Sequence, residues 1–105
     1  MTAARLAITT AGSREEAERI AHTLVEERLA SCVNILDNIR SVYRWQGSVE
    51  SAGETMLLMK TDEQHIEPLR KRITELHSYE LPEFLVIDVA GCSAAYFDWI
   101  TGSLS

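Results

Sequence analysis

The side chains best suited to chemistry in this chain are Cys32, His77, Glu80 and Glu83. A thiolate, an imidazole and carboxylates make a donor set that suits copper or zinc better than magnesium or calcium. Cys32 opens a long β-type segment, His77 ends a helical repeat, and both glutamates lie in the connector behind it. Their spacing matches no closed metal-binding motif. Folding, or an adjacent subunit, has to bring them together. Each also has a plainer role. Cys32 serves as a small interior hydrophobe, and His77 suits the carbonyl-rich C-terminus of its helix. Lys60, beside Thr61 and Asp62 at the end of an apolar run, either binds an anionic small molecule in a cleft between subunits or pairs with Asp62. Tyr43, Trp45 and Tyr79 read as interface packing, because a platform for stacking bases needs basic residues that are missing here. Cys92, between Gly91 and Ser93, reads as a loop residue without a duty.

Familiar catalytic patterns are absent from the sequence. The five glycines, at positions 12, 47, 53, 91 and 102, are scattered and form no phosphate loop. There is no Gly-x-Ser-x-Gly elbow, Cys-x-x-Cys or His-Glu-x-x-His. Nothing identifies a nucleophile, and the expectation is a protein that is not an enzyme. An acylphosphatase-like reaction would need a phosphate-cradling Arg and a water-orienting amide in one loop, and nothing places Asn34 and Arg44 together. A net charge of −6 argues against nucleic acid as a partner. Arg70, Lys71 and Arg72 read as a solvated helix face.

The 105 residues, 46% of them hydrophobic, suit one globular domain spanning residues 1–105. No apolar run approaches the ~20 residues of a membrane span, and no secretory signal is recognisable near Arg5. With two cysteines, Cys32 and Cys92, the expected setting is a reducing one, the cytoplasm.

The elements that must position these residues follow from periodicity. Leu6–Thr10 leans to a strand. Ser13 and Glu16 fit a capping box, and Ala17, Ile20, Ala21, Leu24, Val25 and Leu29 share one helical stripe over residues 13–29. His22 lies off that stripe. Cys32–Trp45 and Ser48–Thr61 read as two long strands joined by a tight turn at Gln46-Gly47. Ile66, Leu69, Ile73 and Leu76 predict a second helix ending near His77. Thr61 with Gln64 offers a capping box, but Pro68 belongs in a first turn, which moves the start towards Gln64 or kinks the helix. A connector, Ser78–Glu83, is stiffened by Pro82. Phe84–Ala90 reads as a last strand, and Tyr96, Trp99 and Ile100 share a face of a terminal helix that Ser93 can cap. The order, with right-handed crossovers, gives an α+β, ferredoxin-like βαββαβ fold: a four-stranded antiparallel sheet with two helices on one face, plus a short C-terminal helix.

Two features point to assembly. A fourteen-residue strand reaches roughly 45 Å, well beyond a compact core with a radius of gyration of about 13 Å, so the hairpin overhangs and carries Tyr43 and Trp45 outward. Met56-Leu57-Leu58-Met59 and Phe84-Leu85-Val86-Ile87 are continuous apolar runs, not alternating ones. Such runs require cover on both sheet faces, and the two helices supply one. Copies of the chain are the expected second wall.

Several ordered motifs resemble the CutA divalent-cation tolerance family. Val25-Glu26-Glu27-Arg28-Leu29-Ala30-Ser31-Cys32-Val33-Asn34-Ile35 is similar to its first signature, and Ser41-Val42-Tyr43-Arg44-Trp45-Gln46-Gly47 to its hairpin tip. Leu57-Leu58-Met59-Lys60-Thr61, Glu75-Leu76-His77-Ser78-Tyr79-Glu80-Leu81-Pro82-Glu83 and Tyr96-Phe97-Asp98-Trp99-Ile100 follow in order. Ser78 stands where the family usually has Pro, and Ser48 where a basic residue is common. The resemblance implies a homotrimer related in architecture to PII signalling proteins and a role in tolerance of copper and other divalent ions, without enzymatic activity. It implies Cys32, His77 and Glu83 as residues associated with metal such as Cu(II). The likeness to PII adds an intersubunit cleft for a small effector, with Trp45, Lys60 and Tyr79 as its candidates.

Overall fold

A computed structural model of the chain describes residues 2–105. The element order is β1 (Ala4–Ala11), α1 (Arg14–Glu26), β2 (Cys32–Trp45), β3 (Ser48–Asp62), α2 (Ile66–Leu76), β4 (Leu85–Asp88) and α3 (Ala94–Leu104), with a 3-10 turn at Glu63–His65 leading into α2. The four strands form one antiparallel sheet in the order β2-β3-β1-β4. This is the expected α+β, ferredoxin-like arrangement. No helix among the described residues is long and apolar enough to cross a membrane.

Local chemistry sets the boundaries. Ser13 accepts from the Glu16 amide and starts α1 as expected. The helix stops at Glu26 instead of reaching residue 29, because Arg28 turns left-handed at φ 60°. The Leu29 amide then donates to the Leu24 carbonyl and the Arg28 amide to that of Val25. This is a Schellman close with arginine where glycine is usual, so the sequence carried no glycine signal for it. The turn before α2 is capped by Asp62, which accepts from the His65 amide, and not by Thr61. Thr61 instead donates its hydroxyl to the Leu29 carbonyl. Pro68 falls in the first turn of α2, where it displaces no hydrogen bond. The hairpin turn has Gln46 at φ 50° and Gly47 at φ 84°, the two left-handed residues of a type I′ connection. A bulge between Leu36 and Ile39, with Asn38 at φ 61°, shifts the β2–β3 register by one and twists the outer hairpin.

Both helices pack on one sheet face. Their Ala17, Ile20, Leu24, Leu69 and Ile73 meet Ala7, Ala11, Leu57 and Met59 in a closed core. The other face is formed by the alternate residues, among them Leu6, Ile8, Met56, Leu58, Leu36, Leu85 and Ile87. One expectation needs correcting here: this second face is not wholly bare. α3 lies over its end, with Ile100 and Leu104 packed on Ala4 and backed by Val89 and Phe97. The remainder has no cover within the chain, and Leu85 and Ile87 are 57% and 49% exposed. The hairpin overhangs as its length required. The molecule measures 45 × 26 × 23 Å, and Tyr43 and Trp45 stay exposed near the tip.

Candidate functional site

A groove of about 570 Å³ lies between the outer hairpin and the connector that follows α2. Its lining includes Tyr43, Trp45 and Glu54 from the hairpin and Tyr79, Glu80 and Glu83 from the connector. The connector is irregular backbone, so something other than a strand ladder must hold it. That support begins at His77, the last residue of α2's closing turn, whose amide donates to the Ile73 carbonyl. Its backbone then turns extended and its side chain is fully enclosed.

Both ring nitrogens of His77 are engaged. Nε2 lies 2.6 Å from the Thr10 carbonyl oxygen, and Nδ1 lies 3.0 Å from the Tyr79 amide nitrogen. A carbonyl only accepts and an amide N–H only donates, so Nε2 carries the proton and Nδ1 offers its lone pair. Glu16 runs beside this ring. Its Oε2 accepts from the Ser78 amide at 2.8 Å, and its Oε1 accepts from the Gly12 amide at 3.4 Å. Burial pushes the Glu16 carboxyl up, but hydrogen bonds from Ser78 and Gly12, with His77 whenever its ring is charged, outweigh that and hold it below its ordinary range. Tyr79 stacks at a tilt on the His77 ring, 4.6 Å between centroids, and donates its hydroxyl to Glu54 at 2.9 Å. Burial, then the bond to Glu54, raises the Tyr79 phenol to about 12. Glu83 is also raised, by burial first and then by the like charge of Glu54. The groove wall therefore carries negative charge that no basic lining residue offsets.

The other expected site residues lie elsewhere. Cys32 pairs across the ladder with Lys60, and Lys60 with Leu6. Thr10, where His77 binds, stands four residue steps along β1 from that rung, or roughly 13 Å. Cys32, His77 and Glu83 therefore do not converge within one chain. Among the described residues no group of three or more His, Cys, Asp or Glu side chains is placed to hold a metal ion. The donors of a single chain do not fit a closed metal centre. Of the effector candidates, Trp45 and Tyr79 meet in the groove, whereas Lys60 stands six rungs down β3 from Glu54, about 20 Å away. Its ammonium lies 5.8 Å from the Tyr96 ring centroid, and Asp62 is taken by His65. Lys60 therefore does not make the Asp62 pair that the sequence allowed. Glu54, Glu16 and Thr10 were missed. Glu16 did show a capping pattern, but its bond to Ser78 spans 62 residues and leaves no local signature.

Residues 5–103 match the family model for CutA1 divalent ion tolerance protein. The divalent-cation tolerance protein CutA of Thermus thermophilus is 43% identical over 93 residues, 89% of this chain and 90% of that protein. The chloroplastic CutA of Arabidopsis thaliana is 38% identical over 94 residues, 90% of this chain but 52% of the plant protein, so the chain spans about half the length of that relative. Among solved structures, CutA from Xylella fastidiosa superposes with a TM-score of 0.97 at 36% identity, covering 99% of this chain and 100% of that one. CutA from Archaeoglobus fulgidus, described as periplasmic, superposes with a TM-score of 0.94 at 35% identity over 97% and 99% of the two chains.

Proposed function

Because the chain belongs to the CutA1 divalent ion tolerance family, we propose that it acts as a homotrimeric, single-domain protein of the cytoplasm that binds or responds to copper and similar divalent ions, without catalysing a reaction. The observation that carries the cation reading is the groove. Glu83 and Glu54 repel one another there, and Glu83 is held above its ordinary range by burial and by that neighbour. A bound cation relieves both costs at once. Two carboxylates make an open site, so further donors come from water or from another subunit. Cys32, half-buried on the sheet face opposite α1 and α2, is the soft donor available to such an assembly. The trimer reading is supported by that face and by the projecting hairpin, which leave apolar area that a lone chain would expose to water. Cys32 and Cys92 are free thiols, which suits a reducing compartment.

A second reading has its own support. The groove's volume and its Tyr43, Trp45 and Tyr79 faces suit a small organic effector, as in a PII-like signalling module. Its acidic lining favours a cationic effector over a nucleotide.

Titration with Cu(II) and Zn(II), followed through Trp45 fluorescence in a Trp99→Phe background, tests the first reading. Glu83→Gln weakens binding if the groove holds the ion, and Cys32→Ser weakens it if the thiol joins. Equal affinity in all three proteins refutes the ligand assignment. A thermal-shift screen in which organic cations raise the midpoint and metals do not transfers the site to the second reading.

A further inference from the structure

We infer that His77 is a neutral hydrogen-bond bridge that, with Glu16, positions the connector wall of the groove, and that it is not a metal ligand. Its enclosed side chain leaves no face open to a solvent-borne ion. Its only basic lone pair, on Nδ1, already accepts from the Tyr79 amide, and Nε2–H donates to Thr10. To ligate, the ring would have to leave both bonds and strand a buried carbonyl and a part-buried amide, which is costly. Each bond joins β1 to the connector across 67 residues or fixes the connector on itself.

Glu16 acts on the next residue. By accepting from the Ser78 amide while its second oxygen faces Gly12, it ties the connector's start to the loop between β1 and α1. Together the two side chains fix three successive positions, 77, 78 and 79. Tyr79 then transmits that placement across the groove through its hydroxyl bond to Glu54. Gly12 leaves room for this: a Cβ there would stand 3.2 Å from the Tyr79 hydroxyl. The bridge thus sets where Tyr79 meets Glu54 on the groove wall, while His77 and Glu16 themselves stay outside the groove lining. The role of His77 as a bridge stands whatever ligand the groove takes; its effect on cation affinity rests on the functional reading above.

Nitrogen-15 NMR of the histidine rings in the wild-type protein is the primary test, and it needs no variant. The expected His77 pattern is protonated Nε2 and bare Nδ1, unchanged when Zn(II) is added to saturation. A zinc-induced shift at either His77 nitrogen overturns the inference. Substitution supplies the second arm, read by tryptophan quenching with Cu(II). His77→Gln keeps one donor and one acceptor at the side-chain tip and retains affinity, whereas His77→Phe and Glu16→Ala each weaken it roughly tenfold or more, as loss of an outer-shell support does. If Gln and Phe are equally damaging while Glu16→Ala is silent, His77 is a ligand and the inference fails. Should wild type bind no copper at all, the cation reading falls, while the zinc-independent ring pattern still decides the bridge.

Discussion

Replacing Ile87 with Asp puts the covered-face argument to its hardest test. Ile87 sits on edge strand β4, opposite Leu6, on the sheet face that α1 and α2 do not reach, and is 49% exposed in the single chain. Full burial of such a side chain contributes about 1.5–3 kcal/mol, so the exposed half has roughly 1 kcal/mol left to gain per subunit. A carboxylate forced into the same contact without a partner costs several kcal/mol more. Summed over the three subunits of the proposed homotrimer, Ile87→Asp should weaken the assembly by about 10 kcal/mol, around seven powers of ten in its association constant. The isolated fold should lose only about 1 kcal/mol, since the position is an exposed edge. Sedimentation velocity at micromolar concentration reads the assembly, and far-ultraviolet circular dichroism reads the fold. Wild type should sediment as a trimer and Ile87→Asp as smaller species, with Lys71→Asp on the solvated helix face as an unaffected control. A wild-type monomer, or an Ile87→Asp trimer as tight as wild type, would refute the reasoning.

Three further outcomes are expected. Leu24 is fully enclosed between α1 and the sheet, so Leu24→Ala should cost about 2–5 kcal/mol in chemical denaturation; a loss below about 1 kcal/mol would contradict the packing described. Gly47 turns the hairpin at φ 84°, and Gly47→Ala should cost about 1 kcal/mol locally, seen as faster amide exchange at the tip with core protection unchanged. Glu83 binds its proton more tightly in the folded chain than its ordinary 4.5, so the folded state holds more protons and stability falls as pH rises through that window. Glu83→Gln should therefore melt higher than wild type at neutral pH, and the gap should close once pH drops below the ordinary value. Glu16, held low, behaves oppositely: its contribution is present above 4.5 and is lost as pH falls below it. A gap for Glu83→Gln that widens on acidification would contradict the assigned cause.

Much of the fold was legible because its signals are local. The α1 stripe, the Ser13 and Ser93 caps, the Gln46-Gly47 turn and the reach of the hairpin each depend on residues a few positions apart, where backbone sterics and side-chain spacing act directly. Misreadings came where a residue broke the usual type. Arg28 closed a helix without glycine, Asp62 took the cap that Thr61 and Gln64 advertised, and the Asn38 bulge left no periodic trace. α3 was recognised as a helix, but nothing in its own sequence said that it would lie over the second sheet face.

The site divides the same way. Residue types alone marked His77, Glu83, Trp45 and Tyr79 as worth attention, and composition alone set the negative charge of the whole. Which of them meet was decided by register and topology. The β1–β3 ladder carries Lys60 and Cys32 towards one end of the sheet, while the bonds of Thr10 and Glu16 draw the connector to the other. Those bonds close loops of more than sixty residues. Pairings of that range join segments far apart along the chain, so no short window of sequence contains the information that fixes them.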